Sequence, residues 1–399
     1  MLRVLELFAG IGGAAAAVGG RARVVAAVDV DPWARAVYSA WFPDHPWLAR
    51  NLAHPRARLP EAELWWVSPP CQPYTVRGER RDADDPRAAP LHALIGRIAA
   101  GEGPVALALE NVPGFAGSRS HAALVAALEA QGYAHRSFAL CATSTGVPME
   151  RRRFFLVAAR GDGLRPASRP RRHAVALAGL LDGVEAPGTA VDAAVEARFG
   201  ASFHRVDPAD PAAVLACFTS AYGRSPVYAG SYLGAAGGPV RRLSADEGLR
   251  VFGFPNGFRF PEGLPPRQPW GLLGNSLAVP TARVVLAAFG PFDDGMDTVR
   301  GVDGATLRAR PATAGDRRAA MALRDADPQA HGLPADGAAA KAAADGLLGL
   351  GGTSPAWLVE DRWGPVGLAR AGAALVLHPG AAGAAEAVGA AVAAAGGPA

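Results

Sequence analysis

Cysteine is scarce in this chain. Three thiols, Cys71, Cys141 and Cys217, are spread over 399 residues. That is too few for a disulfide framework, and no Cys-x-x-Cys pair suggests zinc, so no metal is expected. Free thiols fit a reducing, cytoplasmic setting. Long apolar runs are lacking too. The opening stretch MLRVLELFAGIGG is interrupted by Glu6 and by Gly10, Gly12 and Gly13, which argues against a secretion signal. The alanine-rich tail is too weakly apolar to read as a membrane span. Nor is there a strong excess of one charge. The net charge of +4 and a pI near 9.2 permit a nucleic-acid partner without demanding one. What is plentiful is apolar side chain, 50% of the residues, enough at this length for two or three domains with a sizeable core.

Residues 1–161 alternate short apolar runs with amphipathic segments. RVLELF, VVAAVDV, LWWVS, VALALE and RFFLVAA read as strands, and DPWARAVYSAWF and SHAALVAALEAQG as helices. That rhythm predicts a parallel α/β sheet. Residues 162–240 lose it and form a smaller, irregular domain. Regularity returns over 241–295, where Ser244 and Glu247 have the spacing of a capping box and TARVVLAAFG reads as a closing helix. Residues 296–399 are an Ala/Gly-rich extension. Its first part reads as a strand, a helix and a hairpin, faintly resembling the opening of an acetyltransferase domain but without an arginine-bearing phosphate turn. Residues 380–399, with Glu386 as their one charge, are expected to be disordered.

The motifs gather at strand ends. LELFAGIGG places Phe8, Gly10 and Gly12 directly after the first strand, where open α/β sheets bind ligands and glycine lets a ligand approach the backbone. Asp29 ends the second strand, where a carboxylate can accept hydrogen bonds from ribose hydroxyls. The pair suits an adenosine-containing cofactor, NAD or S-adenosylmethionine. Ala16 follows where a third glycine would be sought; without a pyrophosphate to cradle, that absence favours S-adenosylmethionine. Next comes WWVSPPCQPYT, in which Cys71 sits in a turn stiffened by Pro69, Pro70 and Pro73, just past LWWVS. Lone cysteines are most often buried filler. A cysteine in a rigid turn at a strand's carboxyl end, with Glu110 ending a partner strand, argues instead for a nucleophile. In VPMERRRFFLVA, strand alternation puts Arg151 and Arg153 on one face and Arg152 on the other. Two guanidiniums there could hold a phosphate, a base carbonyl or Glu110.

Taken in order, ELFAGIGG, SPPCQPYT, LENVPGF, VPMERRRFFLVA, RRLSADEGLRVFGFPNGF and LLGNSLAVPTA resemble the motif set of the cytosine-C5 methyltransferases, over about residues 1–290. One departure is Met149, where that family usually has Gln. Within the superfamily, SPPCQPYTVRG, VVAAVDVDPWARAVY, CFT (Cys217, Phe218, Thr219) and GSYL are most similar to the tRNA-aspartate methyltransferases, which modify an anticodon-loop cytosine. The resemblance implies a Rossmann-like, mixed but mostly parallel sheet with helices on both faces, plus a small target-recognition domain. It implies a Cys71 thiolate adding to cytosine C6, Glu110 at N3 and the exocyclic amine, Arg153 at the carbonyl, and Arg151 ordering Glu110 or the Cys71 loop. It assigns S-adenosylmethionine to Phe8, Gly10, Gly12, Asp29, Val30, Asn51, Leu52, Ser68, Asn275 and Ser276. Cys217, Phe218 and Thr219 would mark the polymer that is read: tRNA, with a DNA cytosine-C5 methyltransferase, perhaps of a restriction-modification pair, as the alternative.

Overall fold

In the computed structural model the described residues are all but 55–56, 76–80, 172–174, 184–187, 332–336, 351–354, 363, 371–372, 382 and 398–399. The first strand, β1 (Arg3–Leu7), is an interior strand of a seven-stranded sheet. It is flanked by β2 (Arg23–Asp29) and β4 (Leu64–Val67); β3 (Trp47–Ala49) lies outside β2, and β5 (Ala106–Asn111) outside β4. These five run parallel. The edge is completed by β7 (Arg152–Arg160) and β6 (Tyr133–Cys141), both antiparallel to their neighbours, in the order β3-β2-β1-β4-β5-β7-β6. The sheet is therefore mixed and mostly parallel.

Strand alternation divides the core between two faces. Val4, Val24, Leu64, Trp66, Ala108 and Val157 point to one cluster, while Leu5, Leu7, Val28, Val67, Leu109 and Leu156 point to the other. The first face is covered by α1 (Gly13–Val18) and α2 (Pro32–Trp41), the second by α3 (Ala89–Ala99) and α4 (Arg119–Ala130). The Asp31 side chain caps α2 through the amides of Trp33 and Ala34, with Pro32 at its first turn.

After β7 the chain stays beside the sheet. The Arg165 amide donates to the Ala288 carbonyl, and β8 (Arg169–Pro170) pairs with β11 (Thr298–Val299). The smaller region then forms α5 (Ala193–Phe199) and the two-stranded pair β9 (Arg205–Val206) and β10 (Tyr232–Leu233). Next come α6 (Ala245–Val251), α7 (Gln268–Gly274) and α8 (Val279–Leu286). Ser244 and Glu247 form the expected capping box on α6. Helix α8 supplies the expected closing helix and buries Val279, Val285 and Leu286 in the first-face cluster.

The extension has a core of its own. Strands β12 (Arg308–Pro311), β13 (Ala356–Asp361), β14 (Gly364–Arg370) and β15 (Val376–Leu377) form an antiparallel sheet. On one face α9 (Arg317–Ala326) and α11 (Gly337–Leu347) bury Ala320, Leu323 and Ala344 against Leu358 and Leu368; the short α10 (Pro328–His331) joins them. On the other, α12 (Ala385–Ala394) packs Val388 and Val392 against Trp357, Val359 and Val366. The expectation of disorder over 380–399 is thus corrected for α12. Two valines one turn apart suffice because the sheet supplies the apolar partner that a composition count cannot see.

Candidate functional site

The carboxyl ends of β1, β2, β4 and β5 form one rim. After β1 the backbone enters the left-handed region three times, at Phe8 (φ 59°), Gly10 (φ 53°) and Gly12 (φ 88°). For Phe8 that conformation is costly, and strain of this kind clusters at ligand sites. Side-chain space beside Gly10 is open, with no atom within 4 Å of where a Cβ would stand. Asp29 organises the turn. Its Oδ2 accepts the Gly10 amide (2.9 Å), and its Oδ1 accepts those of Val30 (2.6 Å) and Asp31 (3.0 Å). Beside it Val30 is 64% exposed, an apolar surface facing outward at a binding rim. Leu52 is buried, Asn51 is exposed, and Ser68 accepts the indole N–H of Trp66 (2.8 Å). From far along the chain, Ser276 brings its hydroxyl to 3.3 Å from the Cβ position of Gly13, and Leu277 packs beside it. Asn275 caps α7 immediately before. The open turn, the outward Val30 and the oriented Asp29 fit an adenosine-bearing cofactor.

Glu6 supports the first helix from below, a role that pattern reading did not assign. Its carboxyl is buried under α1, accepting the Ala14 amide (3.1 Å) and the Tyr38 hydroxyl (3.1 Å). Burial pushes its pKa up to about 8, so it is held neutral at pH 7. The signal was present: a carboxylate inside an otherwise apolar strand.

Cys71 and Glu110 meet on the same rim. Val67 and Leu109 are register partners across β4 and β5, so the two turns emerge side by side. The Asn111 side chain donates to the Pro69 carbonyl (3.3 Å), tying the Cys71 loop to the end of β5. Tyr74 stacks edge-on against Phe115 at 4.9 Å. Glu110 is reached by Arg153 from β7, Nε to Oε1 3.2 Å. Burial pushes the Glu110 carboxyl up, against the pull of Arg153 and Arg151. Burial also pushes the Cys71 thiol up; Arg153 and Arg151 draw it down and Glu110 adds to the rise.

The three consecutive arginines have three destinations. Arg153 goes to Glu110, while Arg152 on the opposite face forms a buried pair with Asp325 of the extension. Arg151 was expected to order Glu110 or the Cys71 loop, but its hydrogen bonds go elsewhere: to Cys217 Sγ (3.5 Å) and to the carbonyls of Phe218 (3.2 Å), Gly274 (3.1 Å) and Ser276. It thereby joins the smaller region to the returning segment and bears on Glu110 only through its charge.

Residues 2–174 match the family described as C-5 cytosine-specific DNA methylase. These residues belong to that family. The chain is 39% identical over 166 residues to a tRNA (cytosine(38)-C(5))-methyltransferase of Bos taurus, covering 39% of this chain and 42% of that one. The chain thus spans under half the length of that curated relative. The type II methyltransferase M.MspI of Moraxella is 24% identical over 293 residues, covering 70% of this chain and 68% of that one. Among solved structures, Spodoptera frugiperda DNMT2 superposes with a TM-score of 0.62 at 25% identity, covering 72% of this chain and all of that one.

Within the methylase fold the CFT segment is partly internal. Phe218 is 1% exposed, packed among Tyr222, Phe252 and Trp270. It is a core residue: the apolar ring fills the seam between the smaller region and α6–α7. Cys217 and Thr219 are half-buried. Burial would raise the Cys217 thiol, but Arg151 and Arg153 outweigh it and hold it below its ordinary value. Cys141, expected to be filler, ends β6 half-buried. Among the described residues no group of three His, Cys, Asp or Glu could hold a metal, and no helix is long and apolar enough to cross a membrane.

Proposed function

We propose that this protein methylates C5 of cytosine in tRNA, using S-adenosylmethionine, through a covalent bond between Cys71 and C6. The observation that carries the reading is the convergence of a thiol, a carboxyl whose pKa burial raises and a guanidinium on one rim beside a built cofactor turn. Attack of the Cys71 thiolate on C6 forms an S–C6 bond and shifts the C5=C6 electron pair toward C5. Glu110, whose protonated form burial favours, hydrogen-bonds N3 and offsets the charge that develops on the ring. Arg153 spans Glu110 and the base carbonyl, so one side chain orients both. S-adenosylmethionine, when bound, supplies an electrophilic methyl group. Phe8, Gly10, Gly12, Asp29, Val30, Asn51, Leu52, Ser68, Asn275 and Ser276 would hold it. Loss of the C5 proton then restores the double bond and expels the Cys71 thiolate.

A tRNA substrate is supported by the name of the Bos taurus relative. The energetics of exposing a base are compatible with it. A loop nucleotide leaves its stack at lower cost than a paired base. The Moraxella relative matches a longer stretch and supports DNA as a second reading. Tritiated S-adenosylmethionine incubated with total tRNA and with genomic DNA separates them. Label recovered as 5-methylcytosine in tRNA is expected. Label in DNA alone would transfer the proposal to DNA, and no label in either would refute it.

A further inference from the structure

We propose that the C-terminal extension is a positioning element of the catalytic centre, holding the start of β7 through Asp325 on Arg152 and Arg318 on Glu150. This rests on the methyl-transfer reading above. Strand β7 begins beyond the end of its inner neighbour. The last pair between β5 and β7 is Asn111 with Phe154, so Arg152 and Arg153 overhang β5 and are paired only on the outer side, with Cys141 and Leu140 of β6. Arg153, which must stay on Glu110, therefore sits on a segment supported by half a ladder.

The extension supplies the missing restraint. Arg152 donates from both Nε and Nη2 to the Asp325 carboxylate at the end of α9. Asp325 is 3% exposed and the Arg152 side chain 12%, so the pair is dry and bidentate. Two residues upstream of Arg152, Glu150 accepts Nε of Arg318 from the start of the same helix at 2.6 Å. Its backbone amide is fixed to the Leu215 carbonyl (2.8 Å). The four residues Glu150–Arg153 thus join extension, recognition region and catalytic carboxyl. Because Arg152 is interleaved between Arg151 and Arg153 on one strand, a shift of Arg152 moves both.

A second buried pair is the control. Arg169 and Asp361 (2.5 Å) also dock the extension, but through the segment after β7 and away from the overhang. Full-length Asp325→Ala is expected to melt cooperatively, bind S-adenosylmethionine within about twofold of wild type and lose kcat by roughly tenfold or more with little change in KM, since small misplacements near reacting groups are amplified. Asp361→Asn is expected to lower Tm yet keep kcat. Wild-type kcat in Asp325→Ala, or equal losses of kcat in both variants, would overturn the inference. If Asp325→Ala fails to fold, Asp325→Asn is read the same way. Iodoacetamide alkylation of Cys71, located by peptide mass spectrometry and followed against pH, needs no methyl transfer. Cys71 faces Arg153 from β7, Arg151 from just before that strand, and Glu110 from β5. Displacing Arg153 is expected to move the alkylation midpoint upward, and an unmoved midpoint would overturn the positioning role even if no polymer is methylated.

Discussion

Replacing Gly114 by alanine tests whether the carboxylate turn and the nucleophile loop move as one body. Gly114 has no left-handed φ, so its backbone accepts an alanine and the cost is contact alone. A Cβ there would stand 2.3 Å from the Tyr74 carbonyl oxygen. A comfortable carbon–oxygen approach is about 3.3 Å, so one turn must retreat by about 1 Å. Overpacking of that kind costs about 1–3 kcal/mol of stability. Tyr74 is three residues from Cys71, and the Asn111–Pro69 hydrogen bond links the same two loops. The displacement therefore reaches the sulfur, and a misplacement of about 1 Å can cost roughly 100-fold in rate. Gly114→Ala is accordingly expected to lose far more kcat than stability, with cofactor affinity preserved. The assay is label transfer at saturating cofactor alongside a calorimetric melt. Gly117→Ala, whose Cβ meets nothing within 4 Å, is the neutral comparison. Wild-type kcat in Gly114→Ala would refute the coupling of the two loops.

Because burial raises the Cys71 thiol, the rate of Cys71 alkylation by iodoacetamide, which does not need the Glu110 proton, is expected to climb by about tenfold per pH unit and still be rising at the ordinary thiol value of about 8.5; a plateau below pH 7.5 would contradict this. Glu6 binds its proton more tightly folded than unfolded, so stability falls as pH rises from the unfolded value near 4.5 to about 8. Thermal melts across that window are expected to show the slope in wild type and a flatter one in Glu6→Gln. Asp29→Ala removes the acceptor for three amides and is expected to weaken S-adenosylmethionine by tenfold or more in calorimetry, since a hydrogen bond to a charged group is worth about 1.5–3 kcal/mol; unchanged affinity would remove Asp29 from the cofactor site.

What was legible in the sequence followed from periodicity and punctuation. The strands RVLELF, LWWVS and VALALE are buried on both faces and read as apolar runs. Strand β6, YAHRSFALC, did not stand out, because an edge strand pairs on one side and tolerates His135, Arg136 and Ser137. Strand β3 is three residues long and carries too little pattern. At the site, alternation through ERRR correctly separated Arg152 from its neighbours. It could not say where Arg151 would spend its hydrogen bonds, since the acceptors come from residues 217, 218, 274 and 276. The helix α12 was hidden for a similar reason: its burial depends on Trp357 and Val366, not on its own composition.

The measurement that bears most directly on the central claim is capture of the covalent intermediate. RNA carrying 5-fluorocytosine at its target has no C5 proton to lose, so an adduct formed by Cys71 cannot be expelled after methylation. Incubated with S-adenosylmethionine and digested, the protein is expected to show the nucleotide on the peptide containing Cys71 and no adduct in Cys71→Ala. An adduct on Cys217, whose thiol the same two arginines make more acidic, or none on any cysteine while methyl transfer proceeds, would contradict the account.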